Sequence, residues 1–152
     1  MIIEKPKKED FNEINVITNE IHEQHVAYRP DIFKSVATPI LQDYYNEMID
    51  NNEIYISKEE NIITGYIIVK IIEKNNNGFF SRKILLIDNL ATKQGHQGKG
   101  IGTQLMNYAI ELARKEKCTD IELTVSPENT NAIKFYEKFG MKVRNIKYTM
   151  NI

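Results

Sequence analysis

The residues best suited to chemistry are the glycines of the segment Gln97-Gly98-Lys99-Gly100-Ile101-Gly102. Glycine lets the backbone approach a ligand closely, because no β-carbon intervenes. The segment directly precedes a predicted helix, where free amides and the helix dipole favour a negatively charged group. The turn is therefore expected to bind a phosphate or a diphosphate.

Two familiar phosphate-binding loops do not fit this segment. A Walker-type loop has Ser or Thr after Gly-Lys, whereas Gly98-Lys99 is followed by Gly100. A dinucleotide fingerprint has a third glycine where this sequence has Thr103, and it follows the first strand of a parallel sheet. A glycine-rich helix start without a ligand is the alternative, but such glycines lower helix propensity with no evident packing reason.

Three polar residues outside this turn are further candidates. Asp88 follows the apolar run 84–87 in a predicted strand, two residues before Leu90 and on the same expected face. It is either a functional carboxylate or a structural one bonded to a neighbouring amide, because an unpaired buried charge is costly. Tyr136 lies on the apolar face of a predicted helix, a position typical of core tyrosines, and Asn129 suits the N-cap of that helix.

The elements that must position these residues follow from hydrophobic periodicity. Helices are predicted from Phe11 to the break at Arg29-Pro30-Asp31, from a cap near Thr38-Pro39, and from Ile101 to Ala113. A last helix is predicted from Asn129 to Phe139, with Gly140 ending it. Strands are predicted over residues 1–4, 53–58, 62–72, 83–92 and 121–125, and residues 141–152 read as one bent strand or two short ones.

The order of these elements predicts an α/β fold with one mixed sheet. Three consecutive strands joined by short turns form an antiparallel meander, and the later strand–helix–strand unit is a parallel right-handed crossover. Helices would cover both faces. No linker or repeat interrupts the chain, so residues 1–152 are expected to form a single domain.

Two segments carry a resemblance to a known family. Gln97 to Gly102 resembles the Gln/Arg-x-x-Gly-x-Gly/Ala motif of the GNAT N-acetyltransferase superfamily. The segment from Asn129 to Met141 is similar to the family pattern Asn-x-x-Ala-x-x-Phe-Tyr-x-Lys-x-Gly-Phe, with Met141 in place of the last aromatic residue. The predicted order of strands and helices also resembles this fold over essentially the whole chain.

The resemblance implies an N-acetyltransferase that moves an acetyl group from acetyl-CoA directly to a primary amine of a small molecule or peptide. A non-catalytic acetyl-CoA sensor or interaction module of the same fold is the alternative. Tyr136 would be the general acid, and Asp88 is the candidate base. The implied cofactor-binding positions lie on the strand before the turn, in the turn and at the last helix: Leu90, Ala91, Thr92, Gln97, Gly98, Lys99, Gly100, Ile101, Gly102, Thr103 and Asn129.

The acceptor is expected near the end of the first helix, where His22, His25, Tyr28 and Arg29 lie. His25 falls on the apolar stripe, so a core or rim histidine is the alternative for this residue. No tight spacing of His, Cys, Asp and Glu suggests a metal site. Cys118 is the only cysteine and is expected to be a structural thiol between a helix and a strand.

The composition and charge of the chain bear on which classes of partner it is expected to bind. With 20 Lys and Arg against 21 Asp and Glu, the formal net charge is −1, so no binding to nucleic acid is expected. The start of the chain does not resemble a secretory signal, and the apolar stretch 62–69 is too short to span a bilayer. A cytoplasmic protein without a membrane partner is expected. A homodimer is left open.

Overall fold

A five-stranded mixed sheet forms the centre of the computed structural model, which describes residues 1–152. A single 3-10 turn, Lys8–Asp10, precedes the first helix. The strands and α-helices follow in the order β1 Ile2–Glu4, α1 Phe11–Tyr28, α2 Gln42–Asp50, β2 Ile54–Glu59, β3 Ile62–Lys74, β4 Arg82–Thr92, α3 Ile101–Lys115, β5 Asp120–Leu123 and α4 Thr130–Glu137.

The strands lie in sequence order across the sheet. β1 to β4 pair antiparallel, and β5 pairs parallel to β4 after the crossover through α3. The β2–β3 hairpin turns at Glu60 and Asn61, both left-handed with φ of 48° and 65°. Two consecutive positive φ angles suit the right-handed twist of a tight hairpin. The predicted meander and parallel crossover are both confirmed.

Each face of the sheet carries its own apolar core. On one face, Ile14 and Ile17 of α1 and Tyr45 and Met48 of α2 are fully or almost fully buried against β2 and β3. On the other face, α3 packs through its buried residues, with α4 beside it. The helices therefore cover both faces, as predicted, because each amphipathic stripe must bury against the sheet.

The prediction for the start of the second helix was wrong. The chain leaves α1 at Arg29, as expected, but residues 29–41 form turns and irregular structure rather than a helix from Thr38-Pro39. Leu41 takes the N-cap position with extended φ and ψ, and 69% of it is exposed instead of lying on the apolar face. Pro39 fixes only its own φ and does not by itself start a helix. The first buried residue of α2 is Tyr45, so α2 begins where its side chains can pack against the sheet.

The predicted strand or strands in residues 141–152 do not form. This segment contains no regular secondary structure, and residues 142–152 make no backbone–backbone hydrogen bond. An alternating sequence favours a strand only when a neighbouring edge supplies hydrogen-bond partners. We refer to residues 142–152 as the C-terminal tail.

Two smaller features complete the description. Cys118 is half-buried between α3 and β5, and burial raises the pKa of its thiol, in keeping with the structural role predicted for it. None of the helices combines the length and apolar character needed to cross a membrane.

Candidate active site

The parallel strands β4 and β5 separate at one end of the sheet. Their pairing stops at Ile87 and Leu123, whereas β4 continues to Thr92. Residues 89–92 are paired with β3 on one side and have no strand on the other. The divergence opens a gap beside Leu90, Ala91 and Thr92, where backbone groups are free to bind an extended ligand.

A β-bulge lies at the start of this gap. Ile68 of β3 pairs with Asn89 and Val69 pairs with Ile87, so Asp88 is the extra residue of β4. A bulge puts two successive side chains on one face of the sheet. Asp88 and Asn89 both line a cavity on the face covered by α1 and α2.

The bulge corrects the expected placement of Asp88. Leu90 packs against the core on the α3 and α4 face, so Asp88 and Leu90 lie on opposite faces instead of the same one. Asp88 is also exposed, and no hydrogen bond from a neighbouring amide restrains its carboxylate. A carboxylate open to a cavity is available to a ligand, and it avoids the desolvation cost expected for a buried strand position.

The cavity beside Asp88 has a volume of about 170 Å³. Its polar side chains come from the first two helices and from β4, and the remaining wall is apolar. The lining comprises Thr18, Ile21, His22, His25, Pro39, Ile40, Tyr44, Ile68, Asp88 and Asn89. Tyr66 is fully buried in the adjoining core, and its hydroxyl has no hydrogen-bond partner. Burial, with the charge of Asp88 as a further cause, raises the pKa of Tyr66 to about 12.

His25 and Asp88 are therefore brought to the same cavity. The His25 ring packs against Phe33 with a centroid distance of 5.4 Å, and His22 is held through Nε2 at 2.8 Å from the Lys34 carbonyl oxygen. Partial burial lowers the pKa of His25, and the charge of His22 lowers it further. The neutral imidazole of His25 is favoured, which suits a group that accepts a hydrogen bond from an amine.

Tyr28 and Arg29 do not line this cavity. Tyr28 is exposed, and the Arg29 guanidinium makes two hydrogen bonds to the Asp31 carboxylate, at 2.9 and 2.7 Å. These bonds raise the pKa of Arg29 and lower that of Asp31. Of the four residues expected near the acceptor, only His22 and His25 line the cavity, and Arg29 stabilises the turn after α1.

The glycine-rich segment leads directly from β4 to α3. Gly98 and Gly100 have φ of 76° and 81°, a region that side chains other than glycine rarely adopt, and Gly100 is the N-cap of α3. The backbone amides of residues 98–103 donate no hydrogen bond to any group of the protein. Six consecutive free amides at the start of a 15-residue helix are an arrangement that favours the binding of an anion.

The first part of the loop, before the glycines, also borders α1. Thr92, Gln94 and Gln97 line a second, more open cavity of about 570 Å³ together with Glu20 and other residues of α1. The Gln94 amide donates a hydrogen bond of 2.8 Å to the Glu20 carboxylate, and the Gly95 amide donates one of 2.9 Å to Gln97 Oε1. These bonds hold the first half of the loop and leave the amides that follow free.

At Gly102 the loop packs closely against β4 and α4. A β-carbon at Gly102 would lie 3.5 Å from the Phe135 ring and 3.7 Å from Leu90 Cδ2. The glycine-rich turn, the unpaired end of β4 and the last helix therefore meet at one point. Asn129 is the N-cap of that helix, as predicted, and its Oδ1 accepts a hydrogen bond of 3.1 Å from the Ala132 amide.

Tyr136 lies one residue beyond Phe135 on α4. The two rings meet edge to face with a centroid distance of 5.2 Å. Tyr136 is half-buried against the core of this face, and burial raises the pKa of its phenol. The phenol therefore stays protonated through the neutral range and can donate a proton.

Several residues at the cavity were not among those expected from the sequence. Thr18, Tyr44 and Asn89 come from three separate elements, and only their folding together makes them neighbours. His22, which was expected in this region, lies three residues before His25 and therefore on the same side of α1. The structure brings no three His, Cys, Asp or Glu side chains together in a metal-binding arrangement.

Several known N-acetyltransferases are similar in sequence to this chain. A spermine/spermidine N(1)-acetyltransferase of Bacillus subtilis is 32% identical over 71 residues, covering 46% of this chain and 43% of that protein. An uncharacterized N-acetyltransferase of Methanocaldococcus jannaschii is 37% identical over 65 residues, 43% of this chain and 29% of that protein. N-alpha-acetyltransferase 50 of Danio rerio is 26% identical over 68% of this chain and 60% of its own length. The chain thus spans less than two thirds of these relatives.

Solved structures share the fold over the whole chain. A tetramutant of the BH1408 protein from Bacillus halodurans superposes with a TM-score of 0.95 at 23% identity, with full coverage of both chains. An aminoglycoside N-acetyltransferase in complex with CoA has a TM-score of 0.70 at 15% identity, covering 99% of this chain and 100% of that one. The model of the acetyltransferase (GNAT) family matches residues 18–141. Since that match covers most of the chain, this protein belongs to the GNAT acetyltransferase family.

Proposed function

We propose that this protein is an acetyl-CoA-dependent N-acetyltransferase that transfers the acetyl group directly to a primary amine. The observation that carries the proposal is the row of free amides at residues 98–103, next to the gap between β4 and β5. On the opposite face of β4, Asp88 opens into a cavity. The proposed acetyl-CoA site and the proposed amine site would therefore both border β4.

The residues of the turn and the gap fit acetyl-CoA, which would supply the acetyl group as a thioester. The amides from Gly98 to Thr103 would bind its diphosphate, with Gln97 and Lys99 beside them. The unpaired edge at Leu90, Ala91 and Thr92 would bind the extended arm through the backbone. Asn129, at the start of α4, would contact the same arm.

Two side chains would donate and accept the protons of the reaction. In the transfer, the amine nitrogen forms a bond to the acetyl carbon, and the carbon–sulfur bond breaks. Tyr136 would give its phenolic proton to the departing sulfur, which its raised pKa allows because the phenol is protonated. Asp88 would take the proton of the attacking amine, directly or through water.

The cavity favours a small amine group as the acceptor. About 170 Å³ accommodates an amine-bearing chain or a small ring, and Asp88, Asn89 and His25 offer hydrogen-bond acceptors to it. The relative named for spermine and spermidine supports such an acceptor. The Danio rerio relative supports a peptide N-terminus as the alternative.

Thiol release with a panel of amines tests the proposal. We expect acetyl-CoA-dependent release of free thiol with at least one small primary amine, and none without an amine. If acetyl-CoA binds in calorimetry but no thiol is released with polyamines, aminoglycosides or peptides, the result would instead support the non-catalytic sensor. Lack of coenzyme A binding would contradict both functions.

Replacing Tyr136 with phenylalanine tests the acid. The Tyr136→Phe variant should lose turnover by about 10²-fold or more, because a positioned acid commonly contributes this much, while acetyl-CoA affinity stays within about twofold. Tyr108→Phe is the matched control, since Tyr108 is half-buried on α3 and pairs with Tyr55. Equal turnover in the two variants would remove Tyr136 from the chemistry.

A further inference from the structure

A lysine lies beside the cavity that Asp88 lines. Lys70 follows Ile68 by two residues on β3, so its side chain lies on the same face of the sheet as the cavity. Its ammonium donates a hydrogen bond of 2.8 Å to the hydroxyl of Tyr44, a residue of the cavity wall, and lies 5.4 Å from the centre of that ring. The positive charge of Lys70 is therefore held at the Tyr44 side of the cavity.

Lys70 has no carboxylate partner in the chain. Lys58 and Lys83 each form an ion pair with a carboxylate, whereas Lys70 donates only to the neutral hydroxyl of Tyr44. This hydrogen bond raises the pKa of Lys70 more than burial lowers it, and the charge of Asp88 raises it further. A lysine ammonium has three donors, and only one is used here. Lys70 can therefore still bind an anionic group.

The position of Lys70 relative to Asp88 indicates what kind of molecule the cavity would hold. Lys70 pairs with Leu86, which precedes Asp88 by two residues on β4. The gap between β4 and β5 begins after Ile87, so Lys70 lies on the side of Asp88 that is away from the gap. Two residues of a strand span about 7 Å. An acceptor whose amine lies at Asp88 would therefore extend its other end toward Lys70.

We propose that the acceptor is an amine that also carries an anionic group, and that Lys70 binds this group while Asp88 faces the amine. The inference rests on the proposed amine acetylation and narrows its substrate class. Opposite charges at two ends of one cavity fix the direction in which such a molecule binds. An acceptor with a second cationic group would instead place that group next to Lys70, and the repulsion disfavours its binding. Polyamines are therefore less suitable acceptors for this site.

Three amines with the same methylene chain test this inference. δ-Aminovalerate, pentylamine and putrescine differ only at the far end, which is a carboxylate, a methyl group or a second ammonium. In calorimetry with coenzyme A present, δ-aminovalerate should bind about tenfold more tightly than pentylamine, because a hydrogen bond to a charged group contributes about this much. Putrescine should bind more weakly than pentylamine. The KM values for thiol release should follow the same order, with kcat little changed.

Replacing Lys70 separates recognition of the anionic group from a structural role. Lys70→Met should weaken the binding of δ-aminovalerate by about tenfold and change that of pentylamine by less than about twofold. Lys70→Arg should keep the preference for δ-aminovalerate, because it keeps the positive charge. Lys74→Met is the matched control, since Lys74 is an exposed lysine at the end of the same strand, and this variant should keep the full preference.

The outcomes of these measurements are distinct. Equal binding of δ-aminovalerate and pentylamine by the wild-type chain would overturn the inference, as would a preference for putrescine or no binding of any of the three. An equal loss for both amines in Lys70→Met would also overturn it, because that result indicates a structural role. Selective binding of δ-aminovalerate without release of thiol would contradict the proposed transfer and leave the recognition of the anionic group intact.

Discussion

Asp88 reaches the cavity because of one irregularity in the backbone. Without the bulge, the alternation of β4 would continue and Asp88 and Asn89 would point to opposite faces. With it, both side chains line the cavity, and Leu90 returns to the core of the other face. The strand thereby presents two polar groups to one side of the sheet and keeps its apolar packing on the other.

The proposed role of Asp88 is tested by removing its charge. Asp88→Asn should lower kcat/KM for the amine by about 10²-fold near neutral pH, because the amide cannot accept a proton. The loss should shrink at higher pH, where more of the amine is already neutral. Asp50→Asn, at the exposed end of α2, is the control for a lost negative charge. A loss that stays constant with pH would contradict a base and indicate a binding role.

The loop between β4 and α3 depends on left-handed backbone at its glycines. The positions that a side chain would fill at Gly98 and Gly100 are open, with no protein atom within 4 Å. These two residues are therefore required for their φ and not for close contact with the protein. Gly65 is the opposite case, since a β-carbon there would lie 2.6 Å from the Ala91 carbonyl oxygen and 3.0 Å from Ile101 Cγ2. It lets the start of α3 pack directly on the sheet.

Alanine at Gly100 should affect ligand binding as well as stability. The left-handed conformation costs an alanine about 1 kcal/mol, so Gly100→Ala should destabilise the fold by that amount and weaken coenzyme A binding by about tenfold or more. Gly78→Ala is the matched control, because Gly78 has φ of 87°, is equally open and lies in the β3–β4 loop. Calorimetry measures the affinity for coenzyme A, and urea unfolding measures the stability. An equal affinity in the two variants would mean that the anion binds elsewhere.

One ion network holds the far end of the sheet together. Arg82 of β4 bonds to Asp120 at 2.9 Å and to Glu122 at 2.5 Å on β5, and Arg144 of the tail joins at Glu122. The network lies where β4 and β5 are paired and leaves the other end free to diverge. The hydrogen bond from Arg82, with a second from Thr119, lowers the pKa of Asp120.

This network should contribute to stability only above the acidic range. Because the pKa of Asp120 is lower in the folded chain, its contribution is present above the unfolded value, about 3.9, and is lost as pH falls through the folded pKa. Arg82→Gln should therefore lower the free energy of unfolding at pH 7 and have less effect at pH 3. The exposed Arg114–Glu111 pair provides the control Arg114→Gln, which should change little at either pH. A pH-independent loss in Arg82→Gln would refute this account.

Local sequence was sufficient for the features that depend on neighbours along the chain. Periodicity predicted α1, α3 and the strands of the meander, because an amphipathic stripe reports which face is buried. Asn129 was predicted as a cap and Gly140, with φ of 80°, as a helix stop, since both effects act within one turn. The left-handed glycine turn before α3 likewise depends on six consecutive residues, and its binding of an anion stays a prediction.

The features of the sheet and the cavity that the sequence missed depend on contacts between distant segments. The bulge at Asp88 exists only in register with Ile68 and Val69 of β3, and the cavity gathers Thr18, Tyr44 and Asn89 from three elements. The C-terminal tail carries a strand pattern but forms no strand, because hydrogen bonds to a sheet require an edge that the alternation itself does not specify. Side-chain pattern thus determines which face an element buries, while register and proximity arise only when the whole chain packs.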